Sequence, residues 1–205
     1  ITLSSDGGAC SATSSVTTLI VNGITAGAIG GTQTICYETD RVLIGDLTPA
    51  NASGESPLYS WEKSIAGNNW IPIAGASEST YTSGTLTQTT QFRRLASSPT
   101  CTVSATTTPI TITVVPQVLG GTAAGNQTLC VDATPVSLTV SNASTAGGAL
   151  SYQWQSSSSV ATNTFASIDL SNAKFEQYTP PTNATGTVYY RRLTNITTEG
   201  KTCFA

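Results

Sequence analysis

Gly31-Thr32-Gln33-Thr34-Ile35-Cys36 returns later in the chain as Gly125-Asn126-Gln127-Thr128-Leu129-Cys130, an offset of 94 residues. Working outward, Tyr59-Ser60-Trp61 returns as Tyr152-Gln153-Trp154 at offset 93, and Gln91-Phe92-Arg93-Arg94-Leu95 returns as Tyr189-Tyr190-Arg191-Arg192-Leu193 at offset 98. Cys101 then matches Cys203 at offset 102. Landmarks in one order with slowly growing offsets mean a duplicated domain with loop insertions in the second copy. Residues 24–117 read as one complete repeat, and 118–205 as a second that stops before its last strand. The stretch from Cys10-Ser11-Ala12-Thr13 to Leu19-Ile20-Val21 resembles Cys101-Thr102-Val103-Ser104 to Ile112-Thr113-Val114. Residues 1–23 therefore read as the closing strands of a preceding repeat, and the whole chain as a piece of a longer array.

Within a repeat the pattern is strands throughout. Leu58 to Glu62 alternates, which places Tyr59 and Trp61 on one face. Trp70-Ile71-Pro72-Ile73 reads as a short edge strand, because proline cannot donate to a ladder. Ser79 to Tyr81, Thr89 to Leu95 and Thr111 to Val115 complete the set, with turn signals between them at Asn51 to Gly54, Gly67 to Asn69 and Ser97 to Pro99. Several short strands in under a hundred residues, with one tryptophan near the middle, predict an all-β fold of tandem immunoglobulin-like β-sandwich repeats. The expected core is Trp61, Tyr59 and Phe92 in the first copy, with Trp154, Tyr152 and Tyr190 in the second.

Composition narrows the chemistry. The chain has 205 residues and no histidine, so a Ser-His-Asp triad, a Cys-His pair and imidazole metal ligands are all excluded. Its 11 acidic residues do not converge, and no EF-hand spacing occurs. Eight scattered Lys and Arg and a net charge of -3 give no nucleic-acid footprint, and no apolar run approaches the ~20 residues needed to span a bilayer. No cofactor is expected; calcium at an inter-repeat junction is the one metal the acids near Glu38-Thr39-Asp40 leave open. Thr and Ser fill 62 positions. On alternating strands such as Thr111-Ile112-Thr113-Val114 these hydroxyls supply a solvent face with few charges.

Treating the two copies alike pairs Cys36 with Cys101 and Cys130 with Cys203, one disulfide per repeat, and leaves Cys10 for an upstream partner. Five free thiols are the alternative. Disulfides point to an oxidising compartment, hence to an extracellular, cell-surface location. Among the remaining side chains, Arg94 shares a face with Phe92 and should snorkel at the core rim. Trp70 has no counterpart in the second copy and is the candidate ligand contact.

The G-x-Q-T-[IL]-C opening (Gly31–Cys36), the Ser60-Trp61 strand, the Thr90–Leu95 strand and the G-x-x-C close (Gly200–Cys203) resemble the Ig-like repeats of giant cell-surface proteins of Bacteroidota. These include large gliding-motility adhesins exported by the type IX system. The resemblance implies a non-catalytic structural or adhesive repeat of a long surface filament, with neighbouring repeats of the same chain as its partners and surface glycans or a substratum as possible targets. It carries no catalytic residues. Two other functions fit the residues: a carbohydrate-binding module using Trp70, and a pilus-like subunit polymerising by strand exchange, in which residues 10–21 fill the second repeat of a neighbouring chain.

Overall fold

The computed structural model describes residues 14–18, 23–65, 67, 69–100, 103–144, 147–182 and 186–205. In the first copy the strands are β1 (Ala28–Gly30), β2 (Gln33–Cys36), β3 (Leu43–Thr48), β4 (Leu58–Ser64), β5 (Ile71–Pro72), β6 (Tyr81–Thr82), β7 (Thr90–Ser97), β8 (Ser104–Thr106) and β9 (Ile110–Val115). One sheet runs β1-β3-β6; the other runs β2-β9-β7-β4-β5, with β8 also paired to β7. Alternation decides which side chains meet between them. Along β7, Thr90, Phe92, Arg94 and Ala96 are buried while their neighbours are half-exposed. Ile29 and Ile44 from the first sheet pack on Ile35, Trp61, Phe92 and Ile112 from the second. Pro72 lies on β5 at the sheet edge, where its missing N–H costs no ladder bond.

The second copy repeats this plan with β10 (Thr122–Ala124), β11 (Thr139–Ser141), β12 (Ala149–Ser157), β13 (Ala166–Ser167), β14 (Tyr189–Thr198) and β15 (Lys201–Phe204), and has short 3-10 turns at Thr162–Thr164 and Ser171–Lys174. Strand β10 pairs β11, and the larger sheet runs β13-β12-β14-β15. Its core gathers Leu138, Trp154, Ala173 and Tyr178. The aromatic centre is conserved in form: Trp61, Tyr81 and Phe92 stand with ring centroids 5.6 and 5.8 Å apart, and Trp154, Tyr178 and Tyr190 at 5.9 and 5.8 Å. Each indole N–H donates to a backbone carbonyl, Trp61 to Glu78 at 2.9 Å and Trp154 to Phe175 at 3.1 Å. Trp61, Trp154 and Phe92 are core residues as expected, whereas Tyr59, Tyr152 and Tyr190 are half-buried.

The copies differ at one place. In the first, β2 lies parallel to β9 from Gln33↔Ile112 to Cys36↔Val115. In the second, residues 126–131 form no strand. Glycines before the opening motif serve both copies. A Cβ on Gly27 would stand 2.0 Å from the Thr48 carbonyl oxygen, and one on Gly121 would stand 2.4 Å from that of Ser141; both backbones have positive φ.

Candidate functional site: the junction between the repeats

The most built contact outside the two cores is where the repeats meet. Since β2 ends at Cys36 beside Val115, the opening cysteine sits at the pole from which the chain leaves the first repeat. The closing hairpin β14–β15 comes up against it, turning through Glu199 and Gly200, both with positive φ, between the paired Thr198 and Lys201. That is the two-residue turn that suits a twisted hairpin. Cys36 and Cys203 form a disulfide here, with Cα atoms 5.6 Å apart. Around it, Val115, Ile196 and Cys203 are buried against Val118 and Leu150. Two polar contacts flank the bridge: Lys201 Nζ lies 3.0 Å from Asp40 Oδ2, and Thr34 Oγ1 donates to Glu199 Oε2 at 2.5 Å. The link between repeats is pinned as well. The Leu119 N–H donates to Ser144 Oγ at 2.7 Å, and the Ser144 N–H donates to the Leu119 carbonyl at 3.0 Å.

This bridge corrects the expected pairing of Cys36 with Cys101 and of Cys130 with Cys203, and with it the one-disulfide-per-repeat scheme. Cys130 is free and exposed, while Cys10 and Cys101 lie outside the described residues. The reason is the length of a strand. Cys203 pairs with Ile196 near the end of β14. Cys130 lines a cleft together with Tyr189 and Tyr190 at its start. Six residues of extended chain separate those ends by ~20 Å, and a disulfide needs Cα atoms within about 7 Å. The opening and closing cysteines of the second repeat, Cys130 and Cys203, therefore stand at opposite poles, while Cys36 of the first repeat stands with Cys203 of the second.

The cleft, about 840 Å3, runs between residues 127–131 and Val188–Tyr190. In the first copy β9 fills the equivalent space between β2 and β7. The consequence shows in burial: Ile35 is 1% exposed, whereas Leu129, its counterpart, is 45% exposed and Val131 is 77% exposed.

The paired arginines take opposite faces. Arg94 does not snorkel; it is fully buried. Its guanidinium donates to the carbonyls of Ser79 at 2.7 Å and Ala26 at 2.8 Å, lies 3.1 Å from Asp46, and covers the ring of Tyr59 at 4.9 Å. Loop and strand-end carbonyls without sheet partners attract the cation inward. Arg192 repeats the arrangement, donating to the Glu176 carbonyl at 2.7 Å and lying 4.4 Å over Tyr152. Val140 stands where the first copy has Asp46, and burial draws the Arg192 pKa below its usual value. Outside, Arg93 pairs with Glu62 at 2.6 Å and stacks over Trp70 at 4.1 Å. Arg191 makes the same pair of contacts with Gln155 and Phe165. Trp70 thus has a counterpart after all. Phe165 was hidden because the second copy's loop is longer. Tyr81 and Tyr178 were also missed, although Thr80-Tyr81-Thr82 and Gln177-Tyr178-Thr179 recur at offset 97.

Among the described residues no group of three or more His, Cys, Asp or Glu could hold a metal ion. The acids at the junction, Asp40 and Glu199, face Lys201 and Thr34. No helix among the described residues is long and apolar enough to cross a membrane.

Fold and junction together define a tandem β-sandwich chain whose repeats are covalently stapled end to end. A family described as a domain of unknown function (DUF8696) matches residues 25–116 and again 119–204, and the chain belongs to that family. No curated protein matches it. Among solved structures it is similar to the FN1–FN3 domains of chicken CNTN1 at 9% identity and a TM-score of 0.36, with 88% of this chain and 66% of that chain covered.

Proposed function

We propose that this chain is a segment of a long extracellular filament of repeated β-sandwich domains, a structural and adhesive element of a bacterial cell surface of the gliding-adhesin kind. The observation that carries this reading is the junction, where a disulfide, a buried apolar cluster and two polar contacts fix one repeat against the next. A chain that specified binding alone would not need its domains locked in line, whereas a filament does, because each domain of an array mainly contacts its neighbours. The disulfide also fits an oxidising, extracellular setting. Small-angle scattering of the purified chain tests the reading. An elongated particle close to two domain lengths supports it, and a compact particle with the repeats folded side by side counts against it.

A further inference from the structure

We propose that Cys130 is the acceptor for the closing hairpin of a following repeat, so that every opening cysteine in the array bonds the closing cysteine one repeat further on. The inference rests on the array part of the reading above and not on adhesion.

Four observations carry it. The equivalent cysteine of the first copy makes this bond within the chain, Cys36 to Cys203. The turn that follows the two opening cysteines is the same: the Thr39 N–H donates to the Cys36 carbonyl at 3.4 Å and the Ala133 N–H to the Cys130 carbonyl at 3.2 Å. Glu38 and Asp132, two residues beyond each cysteine, both take positive φ. Cys130 is exposed at the pole of the second repeat away from Cys203, which is where a next repeat must arrive.

A second copy of this chain fits that pole. Its first repeat carries Cys101 at the closing position, matching Cys203. The charges agree too. Where Cys36 is followed four residues on by Asp40, Cys130 is followed by Thr134; where Cys203 is preceded by Lys201, Cys101 is preceded by Pro99. The ion pair is deleted from both sides at once, so a Cys130–Cys101 junction leaves neither charge without its partner. One rule then accounts for all five cysteines. Cys36 and Cys203 join each other, Cys130 reaches forward, and Cys10 and Cys101 reach back.

The oxidant is a low-molecular-weight disulfide such as oxidised glutathione. One protein thiolate attacks it and releases a glutathione thiol; the second thiolate then attacks the mixed disulfide, forms the Cys130–Cys101 bond and releases the other. Two protein thiols are oxidised and one glutathione disulfide is reduced.

The test incubates the purified chain, concentrated, in a glutathione redox buffer, followed by non-reducing electrophoresis and peptide mapping. The expected result is Cys36–Cys203 within chains and Cys130–Cys101 between them, giving a ladder of covalent oligomers. Cys130→Ser should remove the ladder and Cys10→Ser should leave it. A Cys130–Cys203 or Cys36–Cys101 bond inside one chain, a symmetric Cys130–Cys130 dimer, or a Cys130 thiol that stays free would each overturn the proposal. A compact scattering particle with the mapped ladder intact would instead overturn the filament reading alone.

Discussion

Cys36 and Cys203 stand 5.6 Å apart at Cα although 167 residues of sequence separate them. The bond joins the exit pole of one sandwich to the hairpin of the next, across a buried contact that includes Val115 and Ile196. In the chain-entropy view a loop of this length constrains the unfolded ensemble by about 5 kcal/mol. Reduction, or Cys36→Ser, should therefore lower the melting midpoint and split unfolding into two calorimetric transitions, one for each repeat. An unchanged single transition in reductant would contradict a mechanical and energetic role for the staple.

Arg94→Leu should destabilise the first repeat by about 3–5 kcal/mol in urea unfolding, because it strands a carboxylate and buried carbonyls. Asp46 and the carbonyls of Ser79 and Ala26 lose their partner together. Arg93→Ala removes only a half-exposed pair with Glu62 and a stacking contact with Trp70, and should cost about 1 kcal/mol. Equal costs for the two arginines would refute the assignment of the inner one to the core.

Gly121→Ala should cost about 1–3 kcal/mol, since the new Cβ must enter a positive-φ site while standing 2.4 Å from the Ser141 carbonyl oxygen. Gly54→Ala is the control, at φ +94 with open space around it. It should cost less than Gly121→Ala in the same assay.

Glu55 ties down the loop that leads to residue 101. It accepts hydrogen bonds from the hydroxyls of Ser98 and Thr100, the latter at 2.7 Å. These contacts hold its carboxyl below the usual range, the Ser98 bond most of all. A lowered folded pKa stabilises the structure above the unfolded value of about 4.3. The contribution is lost as pH falls through the lower folded value. The protection factor of the Thr100 amide, its exchange rate corrected for the intrinsic pH dependence of a free amide, should fall on acidification in that window, and Glu55→Gln should remove that fall.

The sandwich and its core were legible because they depend on local alternation. Trp61, Trp154 and Phe92 declare themselves by spacing alone, and the doubled motif shows that the fold occurs twice. The junction was not legible, and the cysteines show why. Matching Cys36 to Cys101 and Cys130 to Cys203 satisfies the symmetry of two copies, but so does a rule that shifts each bond by one repeat. Only the direction of β2 and β14 chooses between them, and strand direction at a pole leaves no mark in the residues. Phe165 was lost to a loop of changed length. The inward turn of Arg94 depends on carbonyls from Ala26 and Ser79, which lie far from it in sequence.

Pulling the chain by its two ends gives the bridge a further meaning. Tension that reaches residue 36 crosses a single sulfur–sulfur link and leaves at residue 203. Residues 37–202, with the Pro116 linker, lie off the loaded path. Were they to unravel in an unbridged chain they would release roughly 550–600 Å of slack. Bridged, they release none, so the span from residue 36 to residue 203 keeps a nearly fixed length under load.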